Sequence, residues 1–200
     1  MDIFAHGLWT NAAYEGTSRA KNKERSRKDT WLAVFFGVAP DIFSFGILLV
    51  VNIFTTGAFW PYVQARVESE WGDKTANILG NWISSPPQAP DPSMIPTYVG
   101  QLYNFTHSLV IFGLVFLFLW FLFKKPYWLL CGWGLHIAVD IFSHSDKFFP
   151  TPFLFPISNF HFDGISWAEP VFMLVNYAAL IVVYLWLYVL SRKRTPIKPQ

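Results

Sequence analysis

Residues 126–144 read PYWLLCGWGLHIAVDIFSH, an apolar stretch in which His136, Asp140 and His144 recur at intervals of four. Steps of four residues advance about 400° around an α-helix, so successive side chains drift by only about 40°. All three polar side chains therefore project from one stripe of one helix. Such a stripe suits a divalent metal held by imidazole and carboxylate groups. The alternative is a hydrogen-bonded polar contact between helices.

The composition of the whole chain is that of a membrane protein. Its 200 residues are 53% hydrophobic and 14% charged, with a mean hydropathy of +0.32, whereas soluble domains carry about 25% charged residues. This hydrophobicity excludes disorder, and a net charge of +2 argues against nucleic-acid binding. The single cysteine, Cys131, excludes an intramolecular disulfide and a cysteine-rich metal site.

Four apolar stretches are long enough to cross a bilayer, which needs roughly 17–25 residues. They are residues 31–54, 102–123, 126–143 and 170–190. Twelve of the 15 Lys and Arg residues lie before the first stretch, between the second and third, or after the fourth. The positive-inside rule therefore predicts that these basic segments and both termini are cytoplasmic. We expect a single all-α membrane domain with four transmembrane helices.

The remaining segments are assigned by the same topology. Residues 1–30 are expected to hold a short N-terminal helix and a basic cytoplasmic loop, and residues 191–200 a basic cytoplasmic tail. Residues 55–101 form the predicted outer loop. Within it, residues 60–83 show apolar side chains at helical spacing, which predicts an amphipathic helix at the outer face. The alternative is a helix that packs over the mouth of the bundle as a lid. The proline-rich residues 84–96 predict an extended loop.

Ionisable residues inside a membrane are costly and indicate function by default. At about 1.5 Å per residue, several Asp and His residues lie roughly 15–27 Å above the cytoplasmic end of their helices. These are Asp41, His107, His136, Asp140 and His144. If residues 3–18 form a helix beside the first span, His6 reaches the depth of Asp41. The depths predict one polar layer that faces outward, while rotation about each helix stays open.

Further polar residues have two interpretations each. His161 and Asp163 lie in an outer loop, where a turn or a ligand role fits equally. Glu169 precedes Pro170 and suits either the first turn of a helix or a catalytic base. Asp41 follows Pro40 and could also cap a helix that restarts there.

Several of these motifs resemble the bacterial membrane-bound, predicted metal-dependent hydrolase family of small inner-membrane proteins. They are His6, Pro40-Asp41, Thr106-His107-Ser108, Gly132-x3-His136-x3-Asp140 and the segment from Phe148-Phe149-Pro150 to Phe155-Pro156. The resemblance implies hydrolase chemistry in a bacterial inner membrane. The chain differs at Phe43 and Ser44, where the family often has a further acid and a histidine.

The order of these residues is also similar, more distantly, to the zinc-dependent phospholipase C and single-strand nuclease superfamily. Those are helical proteins with clustered zinc ions that hydrolyse phosphoesters. The likeness implies that five residues are direct ligands of a metal: His6, Asp41, His107, His136 and Asp140. It implies that His144 and His161 belong to a further metal.

We therefore expect a membrane-embedded hydrolase that acts on a phosphoester or other ester of a lipid or envelope metabolite. Zinc is the first expectation for the metal, with manganese or iron as alternatives, and Asp163 or Glu169 are the expected bases. The expected partners are the ester substrate and membrane lipids. Two other functions stay open: transport of a metal or protons, and a non-enzymatic scaffold whose polar stripe packs helices.

Overall fold

The computed structural model describes residues 1–48, 50, 96–146 and 149–192. These residues are helical or irregular, with no β-strand among them, which confirms the predicted all-α class. The helices are α1 (Ile3–Ala20), α2 (Arg27–Asp41), α3 (Thr97–Thr106), α4 (Leu109–Phe123), α5 (Cys131–Ser143) and α6 (Pro170–Arg192). The predicted amphipathic helix at 60–83, nearly all of the proline-rich segment and the tail beyond residue 192 lie outside the described residues.

Fewer of the described helices than predicted are long and apolar enough to span a membrane. Among the described helices, α6 alone is long and apolar enough to cross a membrane by itself, and α3 with α4 forms a second such segment if the bent pair is one span. α5 is shorter than its predicted span because a 3₁₀ turn occupies Trp128–Leu130. α3 begins at Thr97, within the last residues of the predicted outer loop 55–101. Four spans remain a prediction.

The α1–α2 hairpin packs against α5 through small residues. An added Cβ at Gly132 of α5 would lie 2.6 Å from the carbonyl oxygen of Ala33, and one at Gly37 of α2 would lie 2.2 Å from Thr10 Oγ1. Real side chains do not tolerate such distances, so both positions require glycine. The three helices thereby approach at backbone distance, at the level of the polar stripe on α5.

Two interruptions in the helices bring the end of α2 and the junction of α3 and α4 to the same level. After α2 the chain makes a π-helical turn over Ile42–Gly46, where Ser44 Oγ donates to the carbonyl oxygen of Pro40 at 2.7 Å. α3 and α4 meet at an angle of 56°, and Ser108 caps α4 by accepting from the backbone N–H of Ile111. Both features are typical of functional sites in helical proteins, because they free backbone groups and redirect side chains.

Candidate metal centre

Four side chains from three parts of the chain meet in the interior. Asp41 is the last residue of α2, His107 lies between α3 and α4, and His136 and Asp140 are one turn apart on α5. One ligand atom of each lies within 4.8 Å of the others. The side chains of the two histidines and Asp140 are at most 1% exposed, and that of Asp41 is 17% exposed. The cluster is therefore shielded from solvent except at Asp41.

Five distances within this cluster are close to the edges of a tetrahedron around a small cation. His107 Nε2 lies 3.1 Å from His136 Nε2 and 3.5 Å from both Asp41 Oδ1 and Asp140 Oδ2. His136 Nε2 lies 3.1 Å from Asp140 Oδ2 and 3.7 Å from Asp41 Oδ1. Metal–ligand bonds of about 2.0–2.2 Å give tetrahedral edges of roughly 3.3–3.6 Å. The cluster could therefore hold a divalent metal with little rearrangement.

The second nitrogen of each histidine has a backbone partner. His136 Nδ1 lies 2.7 Å from the carbonyl oxygen of Gly37. His107 Nδ1 lies 3.2 Å from the carbonyl oxygen of Tyr103 and 3.0 Å from Thr106 Oγ1. A carbonyl oxygen only accepts, so the hydrogen-bond network assigns the proton of each ring to Nδ1. This arrangement is the usual support of a metal-bound histidine.

In the neutral rings, this assignment leaves a lone pair on each Nε2. The two Nε2 atoms nevertheless face each other at 3.1 Å, with the carboxylate oxygens of Asp41 and Asp140 on the same side. Asp140 Oδ2 is also buried without a hydrogen-bond partner among the described residues. Buried polar atoms are normally satisfied, since an unpaired one costs about 1–3 kcal/mol. Four lone-pair donors directed at one point could hold a cation between them.

Asp140 has a second polar face, formed by its other oxygen. His6 Nε2 lies 2.9 Å and His144 Nε2 3.5 Å from Asp140 Oδ1. The amine of Met1 lies 2.5 Å from the same oxygen and 3.0 Å from His144 Nε2. The ring of His6 stacks on that of His136, with centroids 3.7 Å apart. Asp140 thus bridges two groups of histidines, and a positive group already lies against Oδ1.

His144 is held by an aromatic residue and a loop carbonyl. Its Nδ1 lies 2.7 Å from the carbonyl oxygen of Phe149 and 3.1 Å from Tyr103 Oη, and Tyr103 Oη donates to the same carbonyl at 2.9 Å. Burial lowers the pKa of His144 to about 4, although the Asp140 carboxylate opposes this shift. The ring is therefore neutral near pH 7 and presents Nε2 as a lone-pair donor.

Three of the predicted site residues lie elsewhere. His161 is exposed, and its Nε2 lies 3.2 Å from Asp146 Oδ1. Asp163 is also exposed and accepts from the backbone N–H of Asp146 at 3.0 Å. Glu169 is exposed and its carbonyl accepts from Met173 in the first turn of α6. Within the described part of the chain, no hydrogen bond or ion pair joins these three residues to the buried cluster.

Sequence reasoning did not identify the residues that orient the histidines. Tyr103 stacks on His107 with ring centroids 3.8 Å apart, and Thr106 links His107 Nδ1 to Ser44 Oγ, 2.7 Å away. The four-residue interval between Tyr103 and His107 was a usable signal, because such residues share a helix face. The role of the Gly37 carbonyl could not be predicted from the sequence, because it depends on how closely α5 approaches α2.

Comparison of the chain with protein-family models, with curated proteins and with solved structures finds no match. The chemistry of the site therefore rests on its own geometry.

Proposed function

We propose that the chain is a membrane-embedded metal-dependent hydrolase that cleaves a phosphoester or other ester in a lipid or envelope metabolite. The observation that carries the proposal is the convergence of two imidazole lone pairs and two carboxylates at 3.1–3.7 Å. Zinc is the proposed metal, because imidazole and carboxylate ligands at tetrahedral spacing suit it, and manganese or iron are the alternatives. The resemblance to membrane-bound hydrolases agrees with this chemistry.

The buried cluster supports a metal site over a purely structural polar contact. A scaffold would gain most from a network in which every donor meets an acceptor. Here Asp140 Oδ2 is buried without a hydrogen-bond partner in the described residues. This atom faces His107 and His136, where a cation would satisfy it.

A bound divalent metal would supply a Lewis acid that activates water and polarises an ester oxygen. The residues of this chain perform the other tasks. His107 and His136 are held rigidly by their Nδ1 bonds, and the low exposure of the cluster excludes bulk water. Asp41, at 17% exposure, marks the side from which substrate reaches the site. Asp163 and Glu169 remain the sequence-based candidates for the base.

The second face of Asp140 is the place for a further cation, which would have to displace the amine of Met1, 2.5 Å from Oδ1. His6 and His144 approach Oδ1 while His107 and His136 approach Oδ2, and bridging carboxylates are a feature of two-metal hydrolytic sites with ions about 3.5–4 Å apart. His144 therefore fits the further metal that the superfamily likeness implies. His161 would have to leave its contact with Asp146 to join it.

A bilayer location for the chain is supported by its apolar surface. α4 has no buried residue, and α6 exposes large apolar side chains such as Leu174 and Val182. Contiguous apolar surface of this kind is unusual in a soluble monomer. We propose four spans in a bacterial inner membrane, cytoplasmic termini and a site that opens outward, as the distribution of Lys and Arg predicts.

The test compares two matched double variants by plasma mass spectrometry and by hydrolysis of a chromogenic phosphodiester. His136→Gln/Asp140→Asn removes two members of the buried cluster, whereas His161→Gln/Asp146→Asn removes an exposed His–Asp pair. We expect at least one equivalent of metal in the wild type and in the surface variant, and none in the buried variant. Hydrolysis should follow metal content.

Circular dichroism and size-exclusion chromatography in detergent establish that both variants are folded. Metal retained in a folded His136→Gln/Asp140→Asn protein would refute the ligand assignment. Metal lost in the His161→Gln/Asp146→Asn protein would restore His161 as a ligand. Metal uptake into proteoliposomes without hydrolysis of any ester would favour the transporter.

A further inference from the structure

The outer side of the α1–α2 hairpin carries an open groove that the proposed hydrolase activity does not use. Its volume is about 980 Å³, at the upper end of the range of about 300–1,000 Å³ for ligand pockets. Apolar side chains from both helices line it: Ile3, Phe4, Leu8, Trp31, Val34 and Val38. Phe4 and Trp31 are 76% and 73% exposed, so large apolar surfaces lack a partner within the described residues.

One end of the groove is polar and positively charged. Arg25, Arg27, Asn11 and Thr30 lie there, next to the turn that joins the two helices. Arg25 Nη1 lies 2.5 Å from Glu15 Oε2, and Glu15 also pairs with Arg19, so one carboxylate is shared by two guanidinium groups. Arg27 is exposed and its guanidinium makes no ion pair with any side chain that the structure describes. This end of the groove is therefore positively charged, and Arg27 is its guanidinium without an ion pair among the described side chains.

The groove is thus amphiphilic along its length. Ile3 and Asn11 are eight residues apart on α1, which corresponds to about 12 Å of helix. Apart from the indole of Trp31, the side chains of the apolar part carry no hydrogen-bonding group. A peptide backbone lying there would leave its N–H and C=O groups unpaired, at a cost of several kcal/mol in apolar surroundings. An acyl chain has no such groups.

We propose that this groove binds an anionic phospholipid, with an acyl chain along the apolar walls and the phosphate on Arg27. Arginine suits this role because its planar guanidinium binds phosphate oxygens in a bidentate manner. The basic residues 19–28 place this end at the membrane surface that the positive-inside rule assigns to the anionic cytoplasmic leaflet. The site is separate from the metal centre, because His6 faces the opposite side of α1, against His136.

Trp31 provides a direct test of the proposal. The protein is reconstituted in vesicles of phosphatidylcholine and phosphatidylglycerol, with bromine on the acyl chains of one lipid at a time. Bromine quenches indole fluorescence on contact. The chain has 10 tryptophans, so the difference between the wild type and Trp31→Phe isolates the Trp31 signal. A single basic residue near a membrane surface contributes about a fivefold preference for anionic lipid, and we expect this preference at Trp31.

Three variants identify the origin of the preference. Arg27→Gln should abolish it, Arg27→Lys should retain most of it, and Lys125→Gln should leave it unchanged. Lys125 is exposed and basic, but it does not line the groove. The proposal is overturned by equal quenching from both lipids in the wild type. It is equally overturned by no quenching at Trp31, or by a loss in Lys125→Gln as large as that in Arg27→Gln.

Discussion

The replacement of Gly132 by alanine tests whether the close approach of α5 and α2 maintains the metal centre. The added Cβ would lie 2.6 Å from the Ala33 carbonyl oxygen and 3.0 Å from the backbone nitrogen of Gly37. Both neighbours are backbone atoms, so α5 must move away by several tenths of an ångström. Overpacking of this kind costs about 1–3 kcal/mol, which corresponds to a fall of roughly 2–12 °C in melting temperature.

The same shift acts on the metal site. It lengthens the 2.7 Å contact between His136 Nδ1 and the Gly37 carbonyl and separates His136 and Asp140 from Asp41. Loss of an outer contact to a ligand typically lowers metal affinity about 10–100-fold. We therefore expect Gly132→Ala to lower both stability and affinity, although it introduces only one methyl group and removes no ligand.

The matched control is Gly113→Ala in α4, where an added Cβ meets no atom within 4 Å. The higher helix propensity of alanine should stabilise this variant by about 0.5–1 kcal/mol. Thermal unfolding in detergent, with and without zinc, and metal competition against a fluorescent chelator measure both quantities. Wild-type stability and affinity in Gly132→Ala would refute the argument that backbone contact between α2 and α5 positions the ligands.

Three further predictions concern the groups around the cluster. Thr106→Val removes the hydroxyl that lies 3.0 Å from His107 Nδ1, and metal binding measured by chelator competition should weaken about 10-fold. An unchanged metal affinity would mean that the Tyr103 carbonyl alone orients the ring of His107. Tyr103→Phe removes the hydrogen bonds to His144 and Phe149 and should cost about 1–3 kcal/mol in thermal unfolding, because the partners stay buried. Acidification from about pH 7 to about 4, the pKa of His144, should release metal into a dialysate, because protonated imidazole does not bind it. Release that is independent of pH would argue against histidine ligands.

Much of the candidate site could be predicted from the sequence, because the depth of a side chain along a helix follows from the number of residues. A regular helix rises about 1.5 Å per residue, so the level of Asp41, His107 and Asp140 could be derived without coordinates. The structure brings these residues together, and His6 lies at the same level because α1 packs beside α2. His161 shows where this reasoning stops, since a loop has no fixed rise per residue. The structure places it against Asp146 at the surface.

The interruptions within the helices were harder to predict from the sequence than the depths of the site residues. The break between α3 and α4 and the π-helical turn after α2 lie at polar residues or proline inside otherwise apolar stretches, Thr106-His107-Ser108 and Pro40-Asp41. Such residues mark where a helix can be interrupted, but they do not determine the angle or the kind of turn that follows. For that reason the predicted spans at 31–54 and 102–123 are more continuous than the observed helices.

Composition and the four-residue spacing on α5 by themselves determined an all-α chain with a His–Asp stripe on one helix face, because hydrophobicity and helical periodicity are local properties. Only the tertiary structure decided which side chains share a centre. The rotation of each helix about its axis depends on contacts such as Thr10 with Gly37 and Ala33 with Gly132, between residues far apart in sequence. These contacts direct Asp140 Oδ2 toward His107 and His136 and Oδ1 toward His6 and His144.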